Sequence, residues 1–498
     1  MSRSRSDHLT PKVQEIGARI SRRAADRLRG GHLWVYASDI EALELPQGGD
    51  ANAPALLPVA DHRGLLLGTA LYSPSSQIAL RLVSRESIDE TAWLELLGSR
   101  LRQAIARRKP LLNEENDACR LCFSEADELP GLVADKYGDL VILQLLTKGL
   151  NSDAVREACV RVLREELAPA AIFERPDPRI LELEGLAAAS AEPLYIAEGS
   201  TQQAAALAVE EIQVVKNTFP PGLKPESLIC PADGTAEAMP FQNSGLLAQG
   251  SASPESTSQG SASAPGPRTS TQFRLNGLAF HYDANAGQKT GAFLDQRTNY
   301  AAAREWARRS GAARLGAGGR ALDVFCYQGG FALHLAQVCR QVTGIDASRA
   351  SLVVAERNLE ANRARLTAQV EWLEGDAFQI LRDWSDAGEG FDAIVLDPPA
   401  FAKTRRAVEG ALRGYKELNL RALKMVRPGG LLVTCSCSHH VSWAELEAAV
   451  ASAAADLPRR VRLLERRGAA PDHPVVLNLP ETEYLKCRCW KWSSLERL

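Results

Sequence analysis

From about residue 272 onward, short apolar strands alternate with amphipathic helices, and this rhythm constrains the chain more than any other feature. ALDVF leads through CYQGG into FALHLAQVC, and QVTGID leads into SRASLVVAERNLEANR. VEWLEGD, FDAIVLD and GGLLVTCSCS supply further strands, with helices such as RALKMV between them. Strands separated by helices at this interval make βαβ units, whose parallel sheet is covered by helices on both faces. The spacing therefore predicts a doubly wound α/β domain over 272–498. In such a sheet ligands bind beyond the carboxyl ends of the strands, so the residues there carry the functional reading.

Asp323 closes the first strand and is followed by Gly329-Gly330, where absent side chains would let a ligand approach the backbone. Asp346 closes the second strand about 20 residues later, where a carboxylate can accept hydrogen bonds from both hydroxyls of a ribose. Gly375-Asp376 follows the third strand and can address an adenine amino group. The turn after Asp323 matches neither GxGxxG nor GxxxxGK[ST] and offers no lysine for phosphates, so the expected ligand is an adenosine without a phosphate tail. Any one of these acids could instead serve only as a helix N-cap.

Asp397-Pro398-Pro399 closes the fourth strand, and two prolines fix a rigid turn that aims the carboxylate at one point. In VTCSCS, residues two apart share a face, so Cys435 and Cys437 lie on one side with Cys437 nearer the strand end. A thiol there can act as a nucleophile if positive charge lowers its proton affinity; otherwise it is a small buried hydrophobe. Cys119 with Cys122, and Cys487 with Cys489, have ligand-like spacing, but no compact four-ligand set accompanies them, so no metal is expected. His439 and His440 read as loop residues that shape the pocket.

The remainder of the chain is organised differently. LWVYA, ALLPVAD, GLLLGTALY and IALRLVS read as short strands of a β-rich unit over 1–89. A helical stretch from about 91 to 112, a hairpin turning at Tyr137-Gly138-Asp139, the helix NSDAVREACVRVLREEL and the strand AAIFER make an α+β unit over 90–186. Residues 187–271 begin Ala-rich and become SGLLAQGSASPESTSQGSASAPGPRTST, which cannot bury enough apolar area to fold and reads as a low-complexity insertion or linker.

The 498 residues carry 58 Lys and Arg against 61 Asp and Glu, with 45% hydrophobic residues, the balance of an ordinary water-soluble globular chain. No window reaches the ~18 uninterrupted apolar residues of a membrane span, and MSRSRSDHLTPK lacks the apolar core of a signal peptide. The expected compartment is the cytoplasm, with no membrane partner, and ten sparse cysteines fit reduced thiols there. Local charge is less even. Residues 1–32 hold eight basic side chains against three acids, and Arg100, Arg102, Arg107, Arg108 and Lys109 form a second cluster. Such patches either neutralise nucleic-acid phosphates or are solvated faces.

Taken together these segments resemble one family. RGGHLWVYASDI and GTALYSPSSQIALRLVS resemble its N-terminal PUA-like RNA-binding domain, and LCFSEADELPGLVADKYGD and IFERPDPRILELEGL its central domain. GQKTGAFLDQRTNY, ALDVFCYQGGFALHLA, VLDPPAFAK, RGYKELNLRAL, GGLLVTCSCS and HPVVLNLPETEYLK resemble its catalytic domain. The family is the RlmI-type class I S-adenosylmethionine-dependent methyltransferases, which form 5-methylcytosine in large-subunit (23S) ribosomal RNA. The likeness spans nearly the whole chain except about 187–270.

The resemblance implies S-adenosylmethionine as cofactor and 23S ribosomal RNA as partner. Gln296 and Arg297 would help close over the cofactor, and the turn from Asp323 through Phe325 to Gly329 and Gly330 would receive its methionine part. Asp346 would hold the ribose and Asp376 the adenine, with Asp397 adjoining. It also implies that Cys437 attacks C6 of cytosine, making C5 nucleophilic, while Asp397 orients the base through its N3/N4 edge. The base would have to be flipped or single-stranded.

One departure is visible. Many RNA cytosine-5 methyltransferases place a second cysteine directly after the Pro-Pro, where this chain has Ala400. Loss of the C5 proton must then use another base, a water or Cys435, and Cys435 is also the rival nucleophile. Two other readings stay open at this stage: methylation of another RNA atom such as guanine N7 or N2, and a catalytically inactive RNA-binding assembly factor. The sequence also leaves the oligomeric state open, a homodimer included.

Overall fold

A computed structural model describes residues 17–45, 50, 52–187, 190–199, 201–202, 266–267, 269–285, 292–310, 319–457 and 459–494. Most of the low-complexity stretch, the basic residues Arg3, Arg5 and Lys12, and part of GQKTGAF lie outside them. The described residues fall into two compact units, one drawn from 1–110, 120–197 and 474–482, the other from 111–119, 198–473 and 483–498.

The second unit contains the doubly wound sheet. Its strands are β1 (Arg320–Val324), β2 (Gln341–Asp346), β3 (Gln369–Glu374), β4 (Phe391–Leu396), β5 (Val426–Ser436), β6 (Arg459–Arg467) and β7 (Lys486–Ser494), in the order β3-β2-β1-β4-β5-β7-β6. The first five run parallel, while β7 is antiparallel to both of its neighbours. Central strands of a sheet covered on both faces read as continuous apolar runs. Accordingly Leu322 and Val324 of β1 and Ile394 and Leu396 of β4 are fully buried, in one core with Leu418 and Leu423 from the helix Val408–Met425. Strand order reverses between β1 and β4, and a crevice opens at that point, beyond the strands' carboxyl ends.

A hairpin, Ser270–Leu275 with Leu278–Asp283, precedes this sheet and turns at Asn276-Gly277, both at positive φ as a two-residue type I′ turn requires. Its second strand donates the backbone N–H of Ala279 and His281 to the side-chain amides of Asn362 and Asn358 on the helix Arg349–Asn362. The edge strand is thereby capped by side chains instead of a further strand.

The first unit contains two sheets. One has six strands from Gly17–Ile20 to Leu80–Ser84, antiparallel except for the pairing of Gly17–Ile20 with Ala55–Ala60. The other has five, and includes the hairpin Leu132–Tyr137 with Leu140–Leu145, turning where the sequence places it. Here the second basic cluster finds its partners. Arg100 pairs with Glu128, Arg102 with Glu165, Arg107 and Arg108 with Asp127, and Lys109 with Glu166. A patch already matched by carboxylates is not an open phosphate surface, because each cation has a counter-ion in place. In the first cluster, Arg27 and Arg29 are likewise paired, with Asp39 and Asp61. Among the described residues, no helix is long and apolar enough to cross a membrane.

Candidate cofactor and catalytic site

The turn that follows β1 is built under strain. Phe325 and Tyr327 stand at φ +66° and +51°, and Gly329 at +81°. An aromatic residue rarely adopts this left-handed conformation, and such strain concentrates at functional sites. Asp346 at the end of β2 holds the turn: one carboxylate oxygen accepts from the Tyr327 N–H at 2.9 Å and the other from the Ser348 N–H at 2.8 Å. Each oxygen retains a free lone pair for a ligand hydroxyl.

Asp323 is fully buried. Its Oδ2 accepts the Ala332 N–H at 2.7 Å, while its Oδ1 is buried without a partner. Burial pushes this carboxyl well above the usual range, and the negative charges of Asp397 and Asp346 add to the effect. A buried acceptor lacking a donor is the vacancy that an N–H-bearing ligand fills. The crevice itself is lined by flat rings, among them Phe293, Tyr300, Phe325, Tyr327 and Phe331, with Asp397 at its polar end. Aromatic walls and an unmatched carboxylate suit an adenosine-bearing cofactor that carries an amino group.

The glycines have a packing role that local spacing does not reveal. A Cβ on Gly329 would stand 2.7 Å from the Trp372 ring, and one on Gly330 would stand 2.5 Å from the Tyr300 ring. Their missing side chains make room for aromatic packing, and Gly330 also lines the crevice. Gly329→Ala adds left-handed strain and a clash with Trp372, together about 2–5 kcal/mol. The expected outcome is a lowered melting temperature with a parallel loss of S-adenosylmethionine affinity, read by thermal melts and calorimetric titration.

The other residues expected at the cofactor divide. Gln296 is in place: its Nε2 donates to Asp397 Oδ2 at 2.9 Å, and its Oε1 accepts from Asn299. Arg297 turns its buried guanidinium to the Ala118 carbonyl and to Asp472, so it braces the fold around 118 and 472. Asp376 is exposed and caps the helix Ala377–Asp386 by accepting the Gln379 N–H at 2.9 Å.

Opposite the cofactor turn, β4 and β5 deliver Asp397 and Cys437. Burial and the nearby charge of Asp295 push the Asp397 carboxyl up to about 7, although the Gln296 hydrogen bond opposes the shift. Cys437 follows directly on β5, half-buried, with Sγ 3.9 Å from the Pro398 carbonyl. The serines flanking it are pinned: the Tyr415 hydroxyl donates to Ser436 Oγ at 2.8 Å and lies 3.1 Å from Ser438 Oγ, which accepts the Ala402 N–H. This explains the S-C-S spelling, since small hydroxylated residues let one tyrosine fix the turn that presents the thiol. Cys435 is fully buried within β5, its thiol against Cys487, Gln296 and Asp397.

Sequence reading passed over several members of this site. Asp295 precedes Gln296; its Oδ2 accepts the Tyr484 hydroxyl at 2.6 Å and its Oδ1 is buried without a partner. Lys486, at the start of β7, is buried with Nζ donating to the carbonyls of Ser438 and Tyr484. Tyr415 lies on a helix and Lys486 on a late antiparallel strand, so no local spacing links them to VTCSCS. Adjacency to Gln296 was the one available signal, and it pointed to Asp295. Among the described residues, no group of three or more His, Cys, Asp or Glu is arranged to hold a metal.

Comparison with known proteins gives consistent matches. Residues 18–85 match a PUA-like domain, and 232–480 match an S-adenosylmethionine-dependent methyltransferase. The ribosomal RNA large subunit methyltransferase I of Klebsiella pneumoniae subsp. pneumoniae is 31% identical over 459 residues, covering 91% of this chain and 93% of that protein. A crystal structure of a methyltransferase complexed with SAH shares the fold at a TM-score of 0.67 and 17% identity, covering 96% of this chain and 100% of that one. A SAM-dependent methyltransferase from Streptococcus mutans does so at 0.66 and 17%, with the same coverage.

Proposed function

Because the chain belongs to the S-adenosylmethionine-dependent family of the ribosomal RNA large subunit methyltransferases I, we propose that it methylates C5 of a cytosine in 23S ribosomal RNA through a covalent Cys437 adduct, in the cytoplasm. The observation that carries this reading is the half-buried Cys437, directly after β5, with Sγ 3.9 Å from the carbonyl of Pro398, the residue next to Asp397 at the end of β4. S-adenosylmethionine, when bound, supplies the methyl group in electrophilic form. Asp323, Asp346 and Gln296 are the residues that would hold it.

The chain's own residues do the rest. Cys437 adds to C6 of the flipped cytosine, which leaves an electron pair at C5 to accept the methyl group. Asp397 faces the N3/N4 edge, and because it keeps its proton to an unusually high pH it can donate to N3 as the adduct forms. Removal of the C5 proton then restores the double bond between C5 and C6 and expels Cys437. The position after Pro-Pro is Ala400, so that proton leaves without help from a cysteine there.

The test is nucleoside mass spectrometry of unmodified 23S ribosomal RNA after incubation with the protein and S-adenosylmethionine. New 5-methylcytidine is the expected product. A methylated guanosine, or no methylated nucleoside, would overturn the reading.

A further inference from the structure

The two turns that carry Asp397 and Cys437 are joined through one tyrosine. Tyr415, fully buried on the helix Val408–Met425, sets its ring 4.9 Å from that of Phe401, in the turn that follows Asp397. Its hydroxyl reaches both chain neighbours of Cys437, donating to Ser436 Oγ at 2.8 Å and lying 3.1 Å from Ser438 Oγ. Ser438 Oγ in turn accepts the N–H of Ala402 at 3.2 Å, from the same turn as Phe401. Where the two turns meet, Cys437 Sγ lies 3.9 Å from the Pro398 carbonyl.

The protons fix the direction of this chain. Burial keeps the Tyr415 hydroxyl protonated, and its single proton points to Ser436. The Ser438 hydroxyl therefore supplies the proton between its own oxygen and that of Tyr415. Ser438 is fully buried and uses every polar group it has: its N–H donates to Ser436 Oγ at 3.3 Å, and its carbonyl accepts Lys486 Nζ at 2.8 Å and the Val441 N–H at 3.2 Å. A buried network satisfied at every member is rigid and takes one arrangement.

We propose that Tyr415 is a positioning residue for the reaction: through Ser438 it clamps the turn bearing Cys437 to the turn bearing Asp397, and so sets the spacing between thiol and carboxyl. This rests on the covalent reading above and deepens it. The thiol must meet C6 from one face of the base while Asp397 holds the N3/N4 edge, so an error in their separation misplaces one of the two. The fold itself has other support. The Tyr415 ring belongs to an apolar cluster with Ala402, Val441 and Leu446, which a phenylalanine would keep.

The experiment is a double-mutant cycle in the full-length protein with Tyr415→Phe, Ser438→Ala and both together, run beside Cys437→Ala. Each protein, in excess over unmodified 23S ribosomal RNA and with S-adenosylmethionine present, is followed through a single turnover by nucleoside mass spectrometry, and cofactor affinity is measured by calorimetric titration. Tyr415→Phe should slow 5-methylcytidine formation by about 10- to 100-fold and leave cofactor affinity within about twofold of the parent's. Ser438→Ala breaks the same clamp from its other side, and is read against the same two measurements if the Phe variant does not fold. The double variant should be no slower than the slower single by more than about threefold, because both changes remove one unit. A Phe variant that turns over within about twofold of the parent would overturn the inference. So would equal losses of rate and cofactor affinity, or a double variant whose loss is the product of the two single losses. A Cys437→Ala protein as active as the parent sinks the covalent reading, whereas a Cys437-dependent parent whose rate ignores residue 415 sinks only the clamp.

Discussion

Cys437→Ala protein is expected to form no detectable 5-methylcytidine, a loss on the order of 10⁴-fold or more, while binding S-adenosylmethionine as the parent does. The size follows from the chemistry. C5 of cytosine becomes nucleophilic only after addition at C6, so removing the adding group removes the whole route instead of slowing one step of it. Cofactor binding should survive, because Asp323, Asp346 and the strained turn lie on β1 and β2, whereas Cys437 follows β5. Cys435→Ala is the control. That thiol is fully enclosed in the strand against Cys487, and burial pushes it up to about 11, so its loss should cost stability of about 1–2 kcal/mol and leave the product intact. RNA carrying 5-fluorocytosine traps the adduct, since fluorine at C5 cannot leave as a proton. An SDS-resistant protein–RNA complex should form with the parent and the Cys435→Ala protein and be absent with Cys437→Ala. A complex that persists in Cys437→Ala and vanishes in Cys435→Ala would transfer the role to Cys435.

What could be read in the sequence was whatever local periodicity encodes. The βαβ rhythm from 320 onward predicts the parallel strands, and Asp323, Asp346 and Asp397 follow because each stands at a strand end or within one residue of it. The strand register also places Cys437 at the open end of β5 and Cys435 inside it. What could not be read depends on contacts between distant segments. Arg297 sits beside Gln296 in the chain, yet only the fold brings Ala118 and Asp472 to its guanidinium. The role of Gly329-Gly330 turns on Trp372 and Tyr300, which no spacing rule connects to that turn. The late antiparallel strands β6 and β7 carry no βαβ signal, so nothing local in the sequence brings Lys486 to the Ser438 carbonyl. Likewise, a run of arginines near 100–109 looks the same whether it faces phosphates or, as here, carboxylates from elsewhere in its unit.

Asp397→Asn should uncouple stability from activity in a way that pH reveals. The Asp397 carboxyl titrates at about 7 in the folded chain against an ordinary 3.8. A carboxyl whose folded value is raised favours the folded state only while protonated. Its contribution is complete below about pH 3.8 and is lost as the pH rises to about 7, where holding the charge beside Asp295 costs at most roughly 4 kcal/mol. Partial solvent access reduces this to about 2–4 kcal/mol. Asparagine keeps the shape and carries no charge, so the cofactor-free variant should be more stable than the parent by about that amount at pH 8. The gap should narrow steadily toward pH 5. The same substitution removes the transferable proton at the N3 edge, and 5-methylcytidine formation should fall by about 10²–10⁴-fold at every pH. Denaturant unfolding at the two pH values, with nucleoside analysis of the same samples, checks both halves. A stability gap that does not change between pH 5 and 8 would mean that Asp397 is ionised throughout that range, and its role as proton donor to the base would fall with it. A gap that closes on acidification, together with lost activity, would identify Asp397 as a group held at a cost to stability because the reaction needs its proton.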